Sequence, residues 1–318
     1  MQKTGLKRYI RYLGLIILPI IIIKVNPVRL WNTIAQVKPG LVAAALLFTF
    51  PYLFTKSLRW ALLLKIQNYK FPKLKAYLAY FVGNFWGSFT PGRLGDMIRI
   101  LYVYQQCNIS RAQAASSTLI DRLMDIAMLC IVGAIGIIPM MLGPRLTYAV
   151  LMLFIILVFV FVIIFHKNLF ENLCHYIVRY IAPEKIARAI STNITEFLDS
   201  VEKLKSFKLI LPCGLTFVAY AIYFSQVYVL ALALNIKPGY LYLAVCVAVA
   251  NIVSWLPLTI SGMGTRDAVF LTLFSLKHIP GEKAVGLSLL FLLIVNFWPA
   301  LLGAVVWYKM PVSMEKHR

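Results

Sequence analysis

What most constrains this chain of 318 residues is a series of about eight stretches, each apolar over roughly the length of a bilayer crossing. They run from Tyr9 to Ile23, Leu41 to Leu64, Leu74 to Phe89, Ser116 to Met141, Leu146 to Phe165, Ile210 to Leu234, Tyr240 to Leu258 and Ala284 to Tyr308. A crossing helix needs about 20 such residues, and the first and third stretches are short of that. In hydrocarbon a helix satisfies its own backbone polar groups, so segments of this kind read as helices. Composition agrees, with 61% hydrophobic and 14% charged residues, where a soluble domain has about 25% charged. The expected fold is all-α, a polytopic transmembrane helical bundle forming a single integral membrane domain over 1–318.

A net charge of +21 suggests nucleic acid only if the basic residues share one face, and here they fall between apolar stretches. Membrane topology explains them better, because Lys and Arg collect in cytoplasmic loops. Lys3, Lys7 and Arg8 precede the first stretch, Lys65, Lys70, Lys73 and Lys75 follow the second, and a basic segment joins Phe165 to Leu209. Both termini are therefore expected in the cytoplasm, with the chain in the cell (inner) membrane. Lys24 to Gly40, with three basic residues, is the exception that has to lie outside. The basic N-terminus resembles a signal peptide but lacks a small-residue cleavage site, so it reads as a retained first helix. Within the connector 166–208, Ile186, Ile190, Ile194, Phe197, Val201 and Leu204 recur every three or four residues. That spacing makes an amphipathic helix, lying on the membrane surface or packed against the helix ends.

Two places interrupt the apolar pattern. The stretch GNFWGSFTPGRLGDMIR, from Gly83 to Arg99, places Pro91, Gly92 and Gly95 beside Arg93, Asp96 and Arg99. Farther on, Trp255 to Asp267 repeats the ingredients with Pro257, Gly262, Gly264, Arg266 and Asp267. Proline ends a helix and glycine permits left-handed backbone, so both stretches are expected to break. Each is followed by a half-length apolar piece, Met97 to Tyr104 or Ala268 to Leu276. Basic-residue alternation is consistent only if each break is a re-entrant hairpin, one from either side of the membrane. Paired broken helices of inverted orientation are a recurrent transporter architecture.

Arg or Asp near the bilayer centre costs roughly 2.5 to 3.5 kcal/mol on insertion scales, so Arg93, Asp96, Arg99, Asp121, Arg122, Asp125, Arg266 and Asp267 need a reason to be there. The functional reading gives Arg93, Arg99 and Arg266 to a lipid phosphate, because broken helix ends with an added guanidinium suit that anion. Asp96, Asp121, Arg122, Asp125 and Asp267 then act as charge partners or in proton coupling. The structural alternative is ion pairing that holds the hairpins, such as Arg93 or Arg99 against Asp121 or Asp125. For Asp121 and Asp125, at i and i+4, acid–base catalysis and a helix N-terminal turn facing the basic hairpin are further readings. The scattered cysteines and histidines form no metal motif, and neither a Walker loop nor a sugar-nucleotide motif is present. No metal, cofactor or enzymatic reaction is expected.

The run from Asn84 through Pro91-Gly92-Arg93-Leu94-Gly95-Asp96 to Arg99, then Asp121-Arg122 with Asp125, then Leu256-Pro257 with Gly262, Gly264, Arg266 and Asp267, resembles the transmembrane region of lysylphosphatidylglycerol synthases. That family of flippase-like membrane proteins typically carries P-G-R-x-G-E, E-R-x-x-D and P-G-G-x-G-x-R-E. Here Asp96, Asp121 and Asp267 stand for glutamates, and Ile260 and Ser261 for the last Pro-Gly. The resemblance implies lipid movement between leaflets by a stand-alone member without the aminoacyl-transferase domain. The expected function is translocation of a phosphate-bearing lipid, a phospholipid or a polyprenyl-linked precursor. The alternative is a membrane subunit or scaffold of a lipid-linked glycosyltransferase or lipid-synthesis complex. Partners are membrane lipids and lipid-biosynthetic enzymes, not nucleic acid.

Overall fold

A computed structural model describes residues 13–137, 152, 155, 194–204, 207–255 and 259–311. The expected span from Leu146 to Phe165, most of the 166–208 connector, and Pro257 lie outside the described residues, apart from single positions. Everything with regular structure among the described residues is helical.

The chain begins with α1 (Leu13–Val25), and Asn26 then caps α2 (Pro27–Ala35) by accepting the amides of Val28 and Arg29 at 3.1 and 3.4 Å. An asparagine cap before a proline at the first helical position is a strong helix start. The segment from Lys24 to Gly40, read from sequence as a loop, thus holds a helix of its own, whose Leu30 packs with Ile21 and Val285. Next come α3 (Pro39–Ile66) and α4 (Lys73–Phe89). A tight helical turn over Pro91–Ile98 leads into α5 (Arg99–Cys107), and α6 (Arg111–Ile137) follows. A short helix over 194–202, α7, precedes α8 (Ile210–Ala233) and α9 (Tyr240–Trp255). Beyond the second break, α10 (Thr265–Ser275) and α11 (Gly281–Phe291) lead through a wide turn, Leu292–Phe297, into α12 (Trp298–Lys309). Three continuous stretches among the described residues, Pro39–Ile66, Phe207–Ala233 and Gly281–Lys309, are long and apolar enough to cross a membrane.

Both expected breaks occur, with matching backbone. Gly92 and Arg93 are consecutive left-handed residues (φ 61° and 56°), as are Ser261 and Gly262 (53° and 71°). Gly95 serves a different purpose from the expected positive φ: a Cβ there would run into the Trp86 carbonyl, so glycine lets the turn lie against α4.

The apolar core has two main parts. One gathers α8, α9, α10 and α11 around Tyr220, Phe224, Phe270, Phe274 and Phe291. The other joins α3, α4 and α5 through Trp60, Phe71, Tyr80, Phe81 and Val103. The described part of the amphipathic connector presses Leu198, Val201 and Leu204 into the protein, the latter two beside Leu63, Ile120 and Leu123. Its apolar face is closed by helix ends rather than by a lipid surface. Gln67 ties it down by donating to the Ser200 carbonyl at 2.9 Å.

Candidate functional site

The charges on α3 and α6 meet in the middle of the bundle. Asp121 and Asp125 were candidates for a helix N-terminal turn, but α6 starts at Arg111, which puts them about three turns inside it. The free amides of a helix start are therefore not what stabilises them. They face Lys56 and Arg59 of α3, two cations that the reading of the sequence passed over. Arg59 donates through Nε to Asp121 Oδ1 at 2.8 Å, and its Nη2 lies 2.9 Å from Asp125 Oδ1. The same guanidinium reaches the Asp121 carbonyl at 3.0 Å and Thr216 Oγ1 of α8 at 3.1 Å. Lys56 Nζ sits 2.6 Å from Asp125 Oδ2.

The second oxygen of Asp121 takes Arg99 Nη1 at 3.1 Å and the Tyr80 hydroxyl. Arg99 also lies 4.1 Å over the Tyr80 ring and 5.0 Å from the Trp60 ring, so its flat faces are covered as well. Of the four pairings foreseen, Arg93 or Arg99 against Asp121 or Asp125, Arg99 with Asp121 is thus present, and Arg93 pairs with Asp96 instead. A charged group in so dry a place is tolerated when its hydrogen-bonding positions are filled, and for Arg59 and Asp121 they are. These two residues form a brace joining α3, α6 and α8, and Arg99 and Tyr80 extend it to α5 and α4.

The first break carries a looser set. Arg93 Nη2 donates to Asn84 Oδ1 at 2.6 Å, while its Nε stands 3.6 Å from Asp96 Oδ2 without a hydrogen bond. Asp96 also pairs with Arg122 of α6. Gly87 makes room for the Asp96 carboxylate, which occupies the space where a Cβ would stand. At the second break Asp267 accepts the Gly264 amide at 2.7 Å, which caps α10, and Ser261 Oγ donates to the Ser88 carbonyl at 2.6 Å. That last bond joins the two breaks directly. Arg266 is buried, with Nε on Ser288 Oγ at 2.9 Å and Phe291 beneath it, but its Nη2 has no hydrogen-bond partner.

Between these groups lies a cavity of about 40 Å³, bordered by Lys56, Tyr80, Asn84, Arg93, Arg99 and Arg122 among others. By the usual requirement of ~10–15 Å³ per water, that is room for about three water-sized groups. A smaller one of about 20 Å³ lies between the breaks, where Ser88, Gly92, Ser254, Ser261, Arg266 and Asn296 approach. Arg93, Asn251 and Trp255 border both. Asn296 is delivered by the wide turn Leu292–Phe297, in a segment whose sequence reads as one uninterrupted span. Around the larger cavity and the brace behind it, five cations (Lys56, Arg59, Arg93, Arg99 and Arg122) face three carboxylates (Asp96, Asp121 and Asp125). Two positive charges are left over. A buried enclosure with an excess of cations attracts an anion.

Of the residues singled out in the sequence, Arg93, Asp96, Arg99 and Arg122 border the larger cavity. Gly92, Arg93 and Arg266 border the smaller one. Asp121 and Asp125 stand behind the first, bound to Arg59 and Lys56, and Asp267 belongs to a helix cap. The missed residues were Lys56, Arg59, Tyr80, Thr216 and Asn296. The signal for the first two was two cations three residues apart within an otherwise apolar stretch.

The family described as lysylphosphatidylglycerol synthase TM region matches residues 11–303. A UPF0104 membrane protein of Methanocaldococcus jannaschii is 23% identical over 280 residues, covering 82% of this chain and 82% of its own length. A second UPF0104 membrane protein of the same archaeon is 27% identical over 233 residues, covering 70% of this chain and 93% of its own. A third, from Methanothermobacter thermautotrophicus, is 20% identical over 304 residues, covering 90% of each. With a match over nearly its whole length and the two charged breaks meeting as described, the chain belongs to the lysylphosphatidylglycerol synthase transmembrane-region family of multi-pass integral membrane proteins.

Proposed function

We propose that this protein binds a phosphate-bearing lipid by its headgroup and moves it between the leaflets of the cell membrane. The observation that carries the reading is the excess of two positive charges around a cavity bordered by the first break and adjoining the second. In this reading Arg93 and Arg266 contact the phosphate from either break, with Lys56, Arg99 and Arg122 at the cavity wall. Asp96, Asp121 and Asp125 hold those cations in place or carry a coupling proton. The chain crosses the membrane about eight times, its breaks form re-entrant hairpins of opposite orientation, and both termini face the cytoplasm. No catalytic step is involved. Since the cavity has room for about three water-sized groups, a complete headgroup enters only as the two breaks part.

A second reading, a scaffold for lipid-synthesis enzymes, is favoured by the filled bonding of Arg59 and Asp121, which is what structural ion pairs look like. The two readings part at Arg93 and Arg266, whose bonding is incomplete. Mass spectrometry of lipids that co-purify in mild detergent separates them, comparing the wild type with an Arg93→Ala, Arg266→Ala double variant. Enrichment of one phosphate-bearing lipid, lost in the double variant, is the expected result, followed by loss of its transfer in reconstituted vesicles. Bulk lipid composition in both samples would overturn the translocation reading.

A further inference from the structure

Resting on the reading just given, we infer that the headgroup phosphate carries two negative charges, as a monoester or a diphosphate esterified at both ends does, and not the single charge of a phosphodiester. Three observations lead there. First, the groups around the larger cavity leave two positive charges uncompensated, and Arg266 with Asp267 at the second break adds nothing to that balance. A charge left over in hydrocarbon is unfavourable, so a ligand bringing two negative charges neutralises what a phosphodiester leaves half neutralised. A phosphate monoester carries about −1.5 to −2 at neutral pH.

Second, two guanidinium groups that border these cavities each have a buried donor without a hydrogen bond. Arg93 borders both cavities and its Nε is not hydrogen-bonded, while Arg266, 1% exposed, borders the smaller one and has an Nη2 without a hydrogen-bond partner. A monoester presents three terminal oxygens and a diphosphate more, enough to meet both guanidinium groups; a phosphodiester presents two and has a carbon substituent on either side of them. Third, the wall of the smaller cavity carries the Asn296 side-chain amide, which suits a phosphate oxygen, and no acid to repel one, while the Ser254 and Ser261 hydroxyls there donate to the Ala250 and Ser88 carbonyls.

The test uses the full chain in nanodiscs of phosphatidylcholine. These are doped in turn with phosphatidic acid, a polyprenyl phosphate, or phosphatidylglycerol, and lipid retention is read by native mass spectrometry. Inorganic phosphate and pyrophosphate, added without a doped lipid, form a separate arm. The expected result is retention of both monoester lipids at least about ten-fold above phosphatidylglycerol, with inorganic anions retained weakly. Arg266→Gln, which removes one positive charge, is expected to bring the lipids toward parity, and Asp96→Asn, which adds one, to widen the gap. Equal retention of phosphatidylglycerol and phosphatidic acid by the wild type overturns this inference and leaves lipid translocation standing. Failure to retain any phosphate-bearing lipid overturns both. Inorganic pyrophosphate binding as tightly as the monoester lipids would make the ligand a soluble phosphate, and would likewise overturn both.

Discussion

Arg59 grips Asp121 twice, by its side chain at 2.8 Å and by its backbone carbonyl at 3.0 Å, across 62 residues of sequence. Neither side chain has measurable exposure. The pair therefore fixes the rotation of α6 against α3 as well as their separation, since a carbonyl and its own carboxylate are met by one rigid fork.

Replacing Asp121 by Asn removes a carboxylate that receives Arg59, Arg99 and Tyr80. Breaking a buried pair on one side typically destabilises by about 3–5 kcal/mol, because the other charge stays buried. Asp121→Asn is expected to lower the melting temperature in detergent more than Asp125→Asn, whose partners are Lys56 and Arg59. Equal shifts would mean that Asp121 does not hold the brace.

At Arg93 and Arg266 the expectation is reversed. Their bonding is incomplete, so Arg93→Lys and Arg266→Lys should melt within a few degrees of the wild type, yet lose most lipid transfer in vesicles, because a point charge does not replace a planar fork. Full transfer by both lysine variants would favour the scaffold.

The glycines around the first break rank by what a methyl group would meet. At Gly83 it would press on Cδ of Arg99 at 3.2 Å, a side chain held by Asp121 and the Tyr80 and Trp60 rings, whereas at Gly95 it would strike the Trp86 backbone. Gly95→Ala should reduce expression and thermal stability, in line with overpacking penalties of about 1–3 kcal/mol, and Gly83→Ala should reduce them less. Parallel melts of the two variants check the order.

The bond from Ser261 to the Ser88 carbonyl is where the breaks touch. If a headgroup enters by their parting, a Ser88→Cys, Ser261→Cys pair in a background without the native cysteines should stop transfer on oxidation and regain it on reduction. Undiminished transfer with the cross-link formed would show that the breaks do not separate.

Much of this site could be read in advance because proline, glycine and charge within an apolar run are conspicuous. Pro91, Gly92 and Gly262 marked the breaks, and Arg93, Asp96, Arg122 and Arg266 were noticed because nothing in hydrocarbon tolerates them without a partner. Lys56 and Arg59 escaped because α3 is apolar enough to absorb two cations without losing its character as a span, and only their spacing of one turn hinted at a shared task. The wide turn at Leu292–Phe297 had no local marker, since it is a change in hydrogen-bond register within ordinary apolar sequence. Asn26, by contrast, was a visible cap before Pro27, and α2 was overlooked only because it is too short to cross a bilayer.

The distance in sequence between Arg59 and Asp121 also bears on how the protein is made. A ribosome adding about 5–20 residues per second needs roughly 3 to 12 s to get from one to the other. For that interval α3 carries Lys56 and Arg59 without their counter-ions, a load of roughly 5–7 kcal/mol by insertion scales. The nascent chain is thus best served by keeping α3 in the shelter of the insertion machinery until α6 emerges, and releasing the two into lipid as a neutralised pair.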